Sequence, residues 1–517
     1  MSTKLTREGT QKAEDMQRPY EDSSNGRKSI NEVAELERGP QARDSDFKEW
    51  SSKLGISCTV EVHGITPTTI EERTDPRTYQ LFTVWFSAIL NIAGVGTGAL
   101  GPQIFGLGFR DCCIILVIAD IISCLVPGYI AVFGPKLGTR TMVQSRFSFG
   151  YFGAILPSVF NVFSMIGFLV LTCITGGQLL AAVFSRLNDT LGIVIIALIS
   201  LGLSFCGYQV LHWFDTYAWI PNAVIFISLL AVGGKNLDLR PEIAAPTAAA
   251  IISYGTSAGA SCASWGPMCA DYGIYHRSDI SALKVFLYTY FGVLLSTFPG
   301  HIIGAALAAA APAVPSWSAG LEDGKSFGSF IAAVLEPVGG FGKFLVVVAT
   351  LTLPAQSAVT MYSFGVSLMS VSRIFTKIPR YVYSVIATAI VIPISIVGAT
   401  RFFQTFQQII NLIGYWSASY AAIVLTEHFV FRRNKFSNYR VEYWQNASRL
   451  PLGFAAVVAF GLSFGLIVPS MEQAYHVGQF AERGTGDIGL LTGFFSAAAF
   501  YVPLRAVEKT YAPEHDA

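Results

Sequence analysis

The chain has 517 residues, of which 52% are hydrophobic and only 13% are charged, and its mean hydropathy is +0.49. One soluble core could not bury so many apolar segments, so the composition indicates a polytopic membrane protein. A formal net charge of +1 and the lack of a basic block argue against a nucleic-acid partner.

Residues 1–80 differ in kind from the rest, because they are rich in charged residues with scattered Ser, Pro and Gly. This composition predicts a mostly disordered cytoplasmic tail. Since no apolar run opens the chain, we expect no signal peptide and an insertion signal in the first membrane helix. The cysteine spacings suggest packing residues and no metal site.

Apolar windows of about twenty residues predict twelve membrane spans, which together form a transporter domain at residues 81–505. A short cytoplasmic tail follows at 506–517. The spans are placed at 81–107, 112–133, 153–182, 191–211, 213–232, 248–270, 283–311, 342–370, 380–398, 403–430, 452–470 and 488–505. Lys and Arg are more frequent in the loops on the amino-terminal side, so we expect both termini to be cytoplasmic. Asn188 then begins a candidate glycosylation sequon in an outer loop.

Two spans contain residues that interrupt a helix. Span one carries four glycines before Pro102, and span six carries Trp265-Gly266-Pro267. Irregular backbone at membrane depth is tolerated where it lines a cavity, and paired interrupted helices predict a transport site. The candidate break residues are Gly101, Pro102, Gly266 and Pro267. These spans cross in opposite directions, as an inverted repeat of spans one to five and six to ten requires, with spans eleven and twelve appended.

Polar stripes on spans three and eight are predicted to face these breaks. Span eight places Gln356 and several hydroxyl residues on one helical face, and span three places Phe168 on a similar face. With Trp265, these stripes suit a flat, neutral heterocycle. The predicted substrate-binding residues are Gly94, Gly96, Thr97, Phe168, Thr172, Trp265, Gln356, Ser357 and Thr360. In the alternative interpretation the hydroxyls bond their own backbone, Gln356 bonds a neighbouring helix and Trp265 anchors an interface.

Two acidic residues lie within apolar spans and are candidates for proton coupling. They are Asp120 in span two and Glu427 in span ten, beside His428. In the alternative interpretation Asp120 cross-links helices and Glu427 is solvated near the inner end of its span. No nucleophile with a base, metal cluster or phosphate loop occurs at usable spacing, so we predict neither a cofactor nor an enzymatic activity.

Several motifs resemble the nucleobase-cation symporters, in the branch of the fungal purine-cytosine permeases. They are Leu100-Gly101-Pro102 with Leu107-Gly108 and Arg110-Asp111, Phe133-Gly134-Pro135-Lys136, Ser145-Arg146-Phe147-Ser148-Phe149-Gly150-Tyr151, Trp265-Gly266-Pro267 with Ala270-Asp271-Tyr272, and Tyr362-Ser363. The resemblance covers most of residues 50–505. It implies twelve helices in the inverted-repeat fold of the amino-acid transporter type, uptake at the plasma membrane and coupling to a cation, which is a proton in fungi.

The chain departs from that family where substrate contacts are expected. Family members carry a Trp, and an Asn four residues later, where this chain has Phe168 and Thr172, and they carry an Asn-rich run where it has Gln356 to Thr360. The loss of amides removes contacts that read a nucleobase edge, each worth about 1 to 3 kcal/mol. We therefore predict a secondary active symporter that imports a small flat nitrogen heterocycle with a proton. A vitamin B6-type heterocycle is the alternative substrate, sodium the alternative cation, and a non-transporting sensor the weaker alternative function.

Overall fold

The computed structural model describes residues 64–205, 217–239, 245–372 and 374–511. These ranges are mainly helical, and their two short strands, Glu472–Gln473 and His476–Val477, form an antiparallel hairpin. Most of the predicted amino-terminal tail, the junction of spans four and five and the last six residues lie outside the described residues.

The first half of the chain supplies spans one to five. Span one consists of two helices, Gln80–Ile89 and Ile92–Phe105, which are bent by 58°. The further helices in chain order are Phe109–Ser123, Leu125–Ile130 and Phe133–Leu137 (span two), the connecting helices Thr141–Gln144 and Arg146–Gly153, Ile155–Val183 (span three), Asp189–Ser204 (span four) and Trp219–Gly233 (span five) with the 3-10 turn Gly234–Leu239.

The second half supplies spans six to twelve. Span six is the helix Ala248–Ala263 followed by the 3-10 helix Gly266–Tyr272. The other helices are Ala282–Ala310 (span seven), the short helices Pro315–Leu321 and Phe327–Leu335, Gly339–Val371 (span eight), Arg380–Gly398 (span nine), Phe402–Thr426 with the π-helix Glu427–Phe431 (span ten), Phe454–Ser470 (span eleven) and Gly489–Tyr511 (span twelve).

Each predicted span has a helical counterpart among the described residues. Seven helical segments there are long and apolar enough to cross a membrane, and the bent pair of span one makes eight. One of these segments, Tyr381–Phe431, contains both span nine and span ten. Two shorter apolar helices are spans four and eleven, and span six is rich in small residues. The predicted all-α polytopic membrane fold is confirmed.

Glycines bring the second helix of span one against span seven. Gly94 on span one faces Gly300 on span seven, and Gly304 on span seven faces the backbone of Val95 on span one. A Cβ on Gly98 would lie 1.9 Å from the carbonyl oxygen of His301. Small residues at such contacts allow two membrane helices to approach backbone to backbone. These glycines therefore serve helix packing.

Residues 64–79, predicted as part of the disordered tail, are folded against the loops that follow spans two and six. The backbone N–H of Thr68 donates to Gly138 O at 2.8 Å, and Arg73 Nη1 donates to Pro135 O at 3.0 Å. Asp75 forms a parallel bridge with His276. The polar composition of this segment suggested solvation, but its side chains and backbone satisfy carbonyl and N–H groups at helix ends instead. At the other terminus, span twelve continues as helix beyond its predicted end to Tyr511.

Candidate functional site

The break in span one lies at Leu90 and Asn91. Asn91 is extended, with φ −147° and ψ 170°, and its Oδ1 accepts from the N–H of Ala93 at 2.9 Å. Its Nδ2 donates to Ala88 O, also at 2.9 Å. Asn is among the preferred residues at this position, because its side chain satisfies an N–H that has no helical partner. One side chain therefore ends the first helix and begins the second.

Gly101 and Pro102, which the sequence suggested as break residues, lie inside the second helix of span one. Pro102 has no N–H, so the carbonyl of Gly98 loses its helical partner. Tyr254 of span six replaces it, since its Oη donates to Gly98 O at 3.0 Å. The helix continues through the proline because a neighbouring span completes its hydrogen bonding.

Span six changes helix type at Gly266 and Pro267, where the sequence placed its break. The α-helix ends at Ala263, and the following 3-10 helix has a proline in its first turn and ends at Tyr272. Within this 3-10 helix, Asp271 Oδ1 accepts from the backbone N–H of Thr141 at 2.6 Å and from its Oγ1 at 2.9 Å. The segment after the break is therefore fixed to the helix Thr141–Gln144.

Three aromatic side chains from three spans meet beside this break. Phe168 of span three stacks on Trp265 with ring centroids 4.9 Å apart and an interplanar angle of 11°. Trp85 of span one meets Trp265 edge-on at 5.9 Å. A flat molecule held between two rings needs about 7 Å between them, which is twice the carbon contact distance. In this structure Phe168 and Trp265 therefore contact each other and do not enclose a third ring.

Trp85 was not selected from the sequence, although it is 1% exposed and in contact with Trp265. Its indole Nε1 is buried and has no hydrogen-bond partner in the described parts of the chain. A buried donor of this kind is costly unless a ligand or water satisfies it. The sequence around Trp85 does not distinguish it from a Trp that only packs in the membrane. Its position as a donor beside Trp265 depends on how span one packs against span six.

Gln356 of span eight is hydrogen-bonded to the break in span one. Its Oε1 accepts from Asn91 Nδ2 at 3.0 Å. The orientation is determined, because Asn91 Oδ1 is already bound to the N–H of Ala93 and only Nδ2 can face Gln356. The Gln356 side chain is partly exposed, and its Nε2 makes no hydrogen bond to the described residues. This amide therefore presents N–H donors to a ligand.

The hydroxyls predicted to contact substrate bond their own helices. Thr172 Oγ1 donates to Phe168 O at 2.8 Å, Thr360 Oγ1 to Gln356 O at 2.9 Å and Ser357 Oγ to Leu353 O at 3.4 Å. Their oxygens keep acceptor capacity for a ligand. The alternative interpretation of the sequence, that such hydroxyls bond the backbone, describes their donor contacts in this structure.

The residues predicted on span one lie in its second helix, after the break. Gly94 faces Gly300, and a Cβ on Gly96 would lie 3.5 Å from the Phe406 ring of span ten. Thr97 is buried. The structure thus brings Phe168 together with Trp265, and Gln356 together with the break, while Gly94 and Gly96 lie at helix contacts.

Comparisons with known proteins agree with this architecture. The sequence profile of the family described as permease for cytosine/purines, uracil, thiamine, allantoin matches residues 67–484. The chain belongs to this permease family. Its relatives include the purine-cytosine permeases fcyB of Emericella nidulans, 30% identical over 88% of this chain and 90% of the relative, and FCY2 of Saccharomyces cerevisiae, 33% identical over 89% of both.

Two further similarities bear on ligand and fold. The vitamin B6 transporter TPN1 of Saccharomyces cerevisiae is 27% identical to the permease over 89% of both chains. The structure of Mhp1, a nucleobase-cation-symport-1 family transporter in a closed conformation with bromovinylhydantoin bound, covers 88% of this chain and 97% of its own at a TM-score of 0.65 and 15% identity. The similarity to Mhp1 shows a shared fold. Family membership makes this chain a transport protein and not an enzyme, as the sequence predicted.

The two acidic candidates of the permease have different surroundings. Asp120 is fully buried between spans two and seven, where its Oδ2 lies 3.0 Å from His301 Nδ1. Glu427 is also fully buried, and it accepts from Arg432 at 2.9 Å and from Arg505 at 3.1 Å. Burial excludes the solvated alternative for Glu427. His301 and Arg505 were not identified as partners from the sequence, since they lie far along the chain from the two acids.

Asn188 is exposed and caps the helix of span four, where its Oδ1 accepts from Leu191 N at 2.8 Å. Glycosylation would occur on Nδ2, and it stays a prediction. Among the described residues no three His, Cys, Asp or Glu side chains are grouped to hold a metal ion.

Proposed function

We propose that this permease imports a purine or pyrimidine nucleobase together with a proton, across the plasma membrane and with both termini in the cytoplasm. The observation that carries the proposal is the Gln356 amide, which Asn91 holds at the break in span one with its N–H donors unused. An amide fixed in this way can read the carbonyl or ring nitrogen of a nucleobase edge.

Stacking supplies the second part of recognition. The rings of Phe168 and Trp265 present flat apolar faces beside Trp85, whose buried Nε1 is a further donor. Since the two stacked rings contact each other, a heterocycle must stack on an outer face of the pair or separate the rings on binding. The named substrates of fcyB and FCY2 are of this flat type. Neutral polar groups around rings favour a neutral ligand.

Removal of the amide and of the ring should affect recognition in different ways. We expect Gln356→Ala to change which heterocycles compete for uptake, because it removes the directional donors. Asn91→Ala should also change the competition profile, because it removes the hydrogen bond that orients the amide together with the cap at the break. Trp265→Ala should weaken all competing heterocycles by roughly ten-fold, a stacking-sized loss.

The measurement is uptake of radiolabelled cytosine in a host that lacks its own transporters, with adenine, uracil, allantoin and pyridoxine as competitors. Gln404→Ala is the matched control, because this amide is exposed at the start of span ten. The site assignment fails if the Gln356 and Trp265 variants reach the membrane and keep the original affinities and competition profile. Preferential competition by pyridoxine would favour the vitamin B6-type substrate, and binding without accumulation would favour a sensor.

The choice of cation has its own test. We expect uptake to continue when external sodium is replaced by choline and to stop when the proton gradient is collapsed. Hydroxyl oxygens on span eight could also ligate sodium. Uptake that requires sodium and survives loss of the proton gradient would therefore assign sodium.

A further inference from the structure

We infer that Asp120 and His301 together form the proton-binding site of this permease, and that its protonation is coupled to the break in span six. The inference rests on the proposed symport function. Asp120 on span two is 0% exposed and His301 on span seven is 1% exposed. His301 Nδ1 lies 3.0 Å from Oδ2 and 3.2 Å from Oδ1 of the carboxyl group.

The other groups that face the pair come from span six and from span two itself. Cys262 Sγ donates to Asp120 Oδ1 at 3.6 Å, and Ser261 Oγ lies 3.4 Å from His301 Nε2. The side chains of Tyr254 and Cys124 belong to the same surroundings. Among the described residues no Lys or Arg forms an ion pair with Asp120. The negative charge of Asp120 is therefore balanced only when one additional proton is bound to its carboxyl group or to the imidazole of His301.

The number of protons on the pair decides its charge. When Nε2 of His301 carries the ring's own proton and a second proton is shared between Oδ2 and Nδ1, the pair is neutral overall, either as carboxylate and imidazolium or as acid and imidazole. Without that proton it is a carboxylate beside a neutral imidazole, with a net charge of −1. An unbalanced charge is expensive to bury. The packed arrangement therefore favours the protonated pair, and loss of the proton favours the entry of water.

The contacts connect the pair to both broken spans. Ser261 and Cys262 lie one helical turn before Trp265, on the helix that ends at the span-six break. The carbonyl of His301 lies where a Cβ on Gly98 would be, so span one cannot shift without moving against it. A change of charge at the pair thus alters the packing of the helices that carry the substrate contacts. Coupling between two binding sites is reciprocal, so substrate should also raise the proton affinity.

The test uses the purified full chain in lipid vesicles with radiolabelled cytosine. Asp120→Asn and His301→Gln keep the shapes of the side chains but remove the titration. We expect both variants to lose accumulation driven by an imposed proton gradient, and to keep exchange of labelled for unlabelled cytosine at equal pH. The wild-type affinity should rise by about 5- to 150-fold as pH falls, and the affinity of the variants should not change with pH.

Two results would overturn the inference. One is normal accumulation in both variants. The other is an equal loss of accumulation and exchange, which would show that the pair only cross-links spans two and seven. His428→Gln is the matched control, since His428 is a buried histidine bonded to Tyr439 and Asn434, outside the surroundings of Asp120.

A milder variant covers the case in which both substitutions prevent folding. Cys262→Ala keeps the pair but removes the thiol donor that stabilises the carboxylate. Because the proton should then be held more tightly, we expect the alkaline limb of the uptake profile to move to higher pH. An unchanged profile in this variant would contradict the inference.

A readout without substrate separates this inference from the proposed function. Infrared difference spectra of the wild-type protein between acidic and alkaline pH should contain a carboxyl band that Asp120→Asn removes. If cytosine and its competitors are not accumulated, the proposed function fails, while the infrared band still decides whether Asp120 titrates. Absence of the band would overturn the proton site even in an active symporter.

Discussion

Glu427 and Asp120 are both fully buried carboxylates within spans, but their basic partners differ in whether they can lose a proton. Glu427 accepts from Arg432, Arg505 and Tyr501. Asp120 has a histidine and a thiol. Arginine does not lose its proton in proteins, whereas histidine does. A buried acid with fixed cations therefore acts as a structural link, and one with a titratable partner can exchange protons.

The surroundings of Glu427 show what that link joins. Arg505 of span twelve also donates to Glu508 at 2.8 Å, and Glu508 accepts from the N–H of Ala455 in span eleven at 2.7 Å. Arg432 reaches Phe147 O at 3.4 Å. The Glu427 cluster, defined by Glu427, Arg432, Tyr501, Arg505 and Glu508, thus fixes the two appended spans to span ten. We therefore propose that Glu427 is a structural residue and not a proton carrier.

Asp487 offers a third case, just before span twelve begins. Its carboxylate accepts from neutral groups: the Tyr415 hydroxyl, Gln473 Nε2 at 3.1 Å and the backbone N–H of Gly489 at 2.9 Å. Burial raises the pKa of Asp487 above its ordinary value, and the hydrogen bonds only partly oppose this effect. Neutral donors alone therefore do not replace a cation.

The largest effect is expected from Arg505→Met, which leaves Glu427 with one cation and Glu508 without the arginine that donates to it. Breaking a buried ion pair from one side costs about 3 to 5 kcal/mol. The unfolding temperature of the purified protein in detergent should fall strongly. Arg440→Gln, which breaks an exposed pair of 3.9 Å with Glu442, should have little effect. Equal stability of the two variants would refute the structural assignment of Glu427.

Tyr501→Phe is a smaller perturbation of the same cluster. It removes the hydroxyl that donates to Glu427 Oε2 at 2.9 Å but keeps both arginines. A hydrogen bond to a charged group contributes about 1.5 to 3 kcal/mol, so we expect a clear but smaller fall in unfolding temperature. The pH profile of uptake per folded molecule should be unchanged. A shifted profile would show that Glu427 takes part in proton coupling after all.

The smallest effect concerns the pH dependence of stability at Asp487. Because its pKa is higher in the folded protein, the folded state holds more protons than the unfolded state between the ordinary value of 3.8 and the raised one. Stability from this group therefore increases as pH falls through that window. Asp487→Asn should lack this increase. On acidification, the unfolding temperature of the wild type should therefore rise relative to that of the variant. Glu482→Gln, at an exposed position in the same loop, should follow the wild-type curve.

The site shows where interpretation of the sequence was incomplete. Proline marked the change at Gly266 and Pro267 in span six, because its missing N–H is a local property. In span one the same reasoning selected Gly101 and Pro102, whereas Tyr254 satisfies the carbonyl that Pro102 leaves open. The break occurs at Asn91, whose capping role depends on the helix it begins. A local signal is reliable only where no neighbouring span compensates for it.

The sequence by itself determined the class of the protein: apolar segments of membrane length specify a polytopic helical fold, and short motifs specify the permease family. These features are local, because burial in lipid requires each segment to be apolar and internally hydrogen-bonded. Tertiary structure decided which polar groups are paired. His301 faces Asp120 across 181 positions of the chain, and Asn91 faces Gln356 across 265. Such pairs leave no periodic trace, since each partner is a single polar residue whose meaning depends on the helix packed against it.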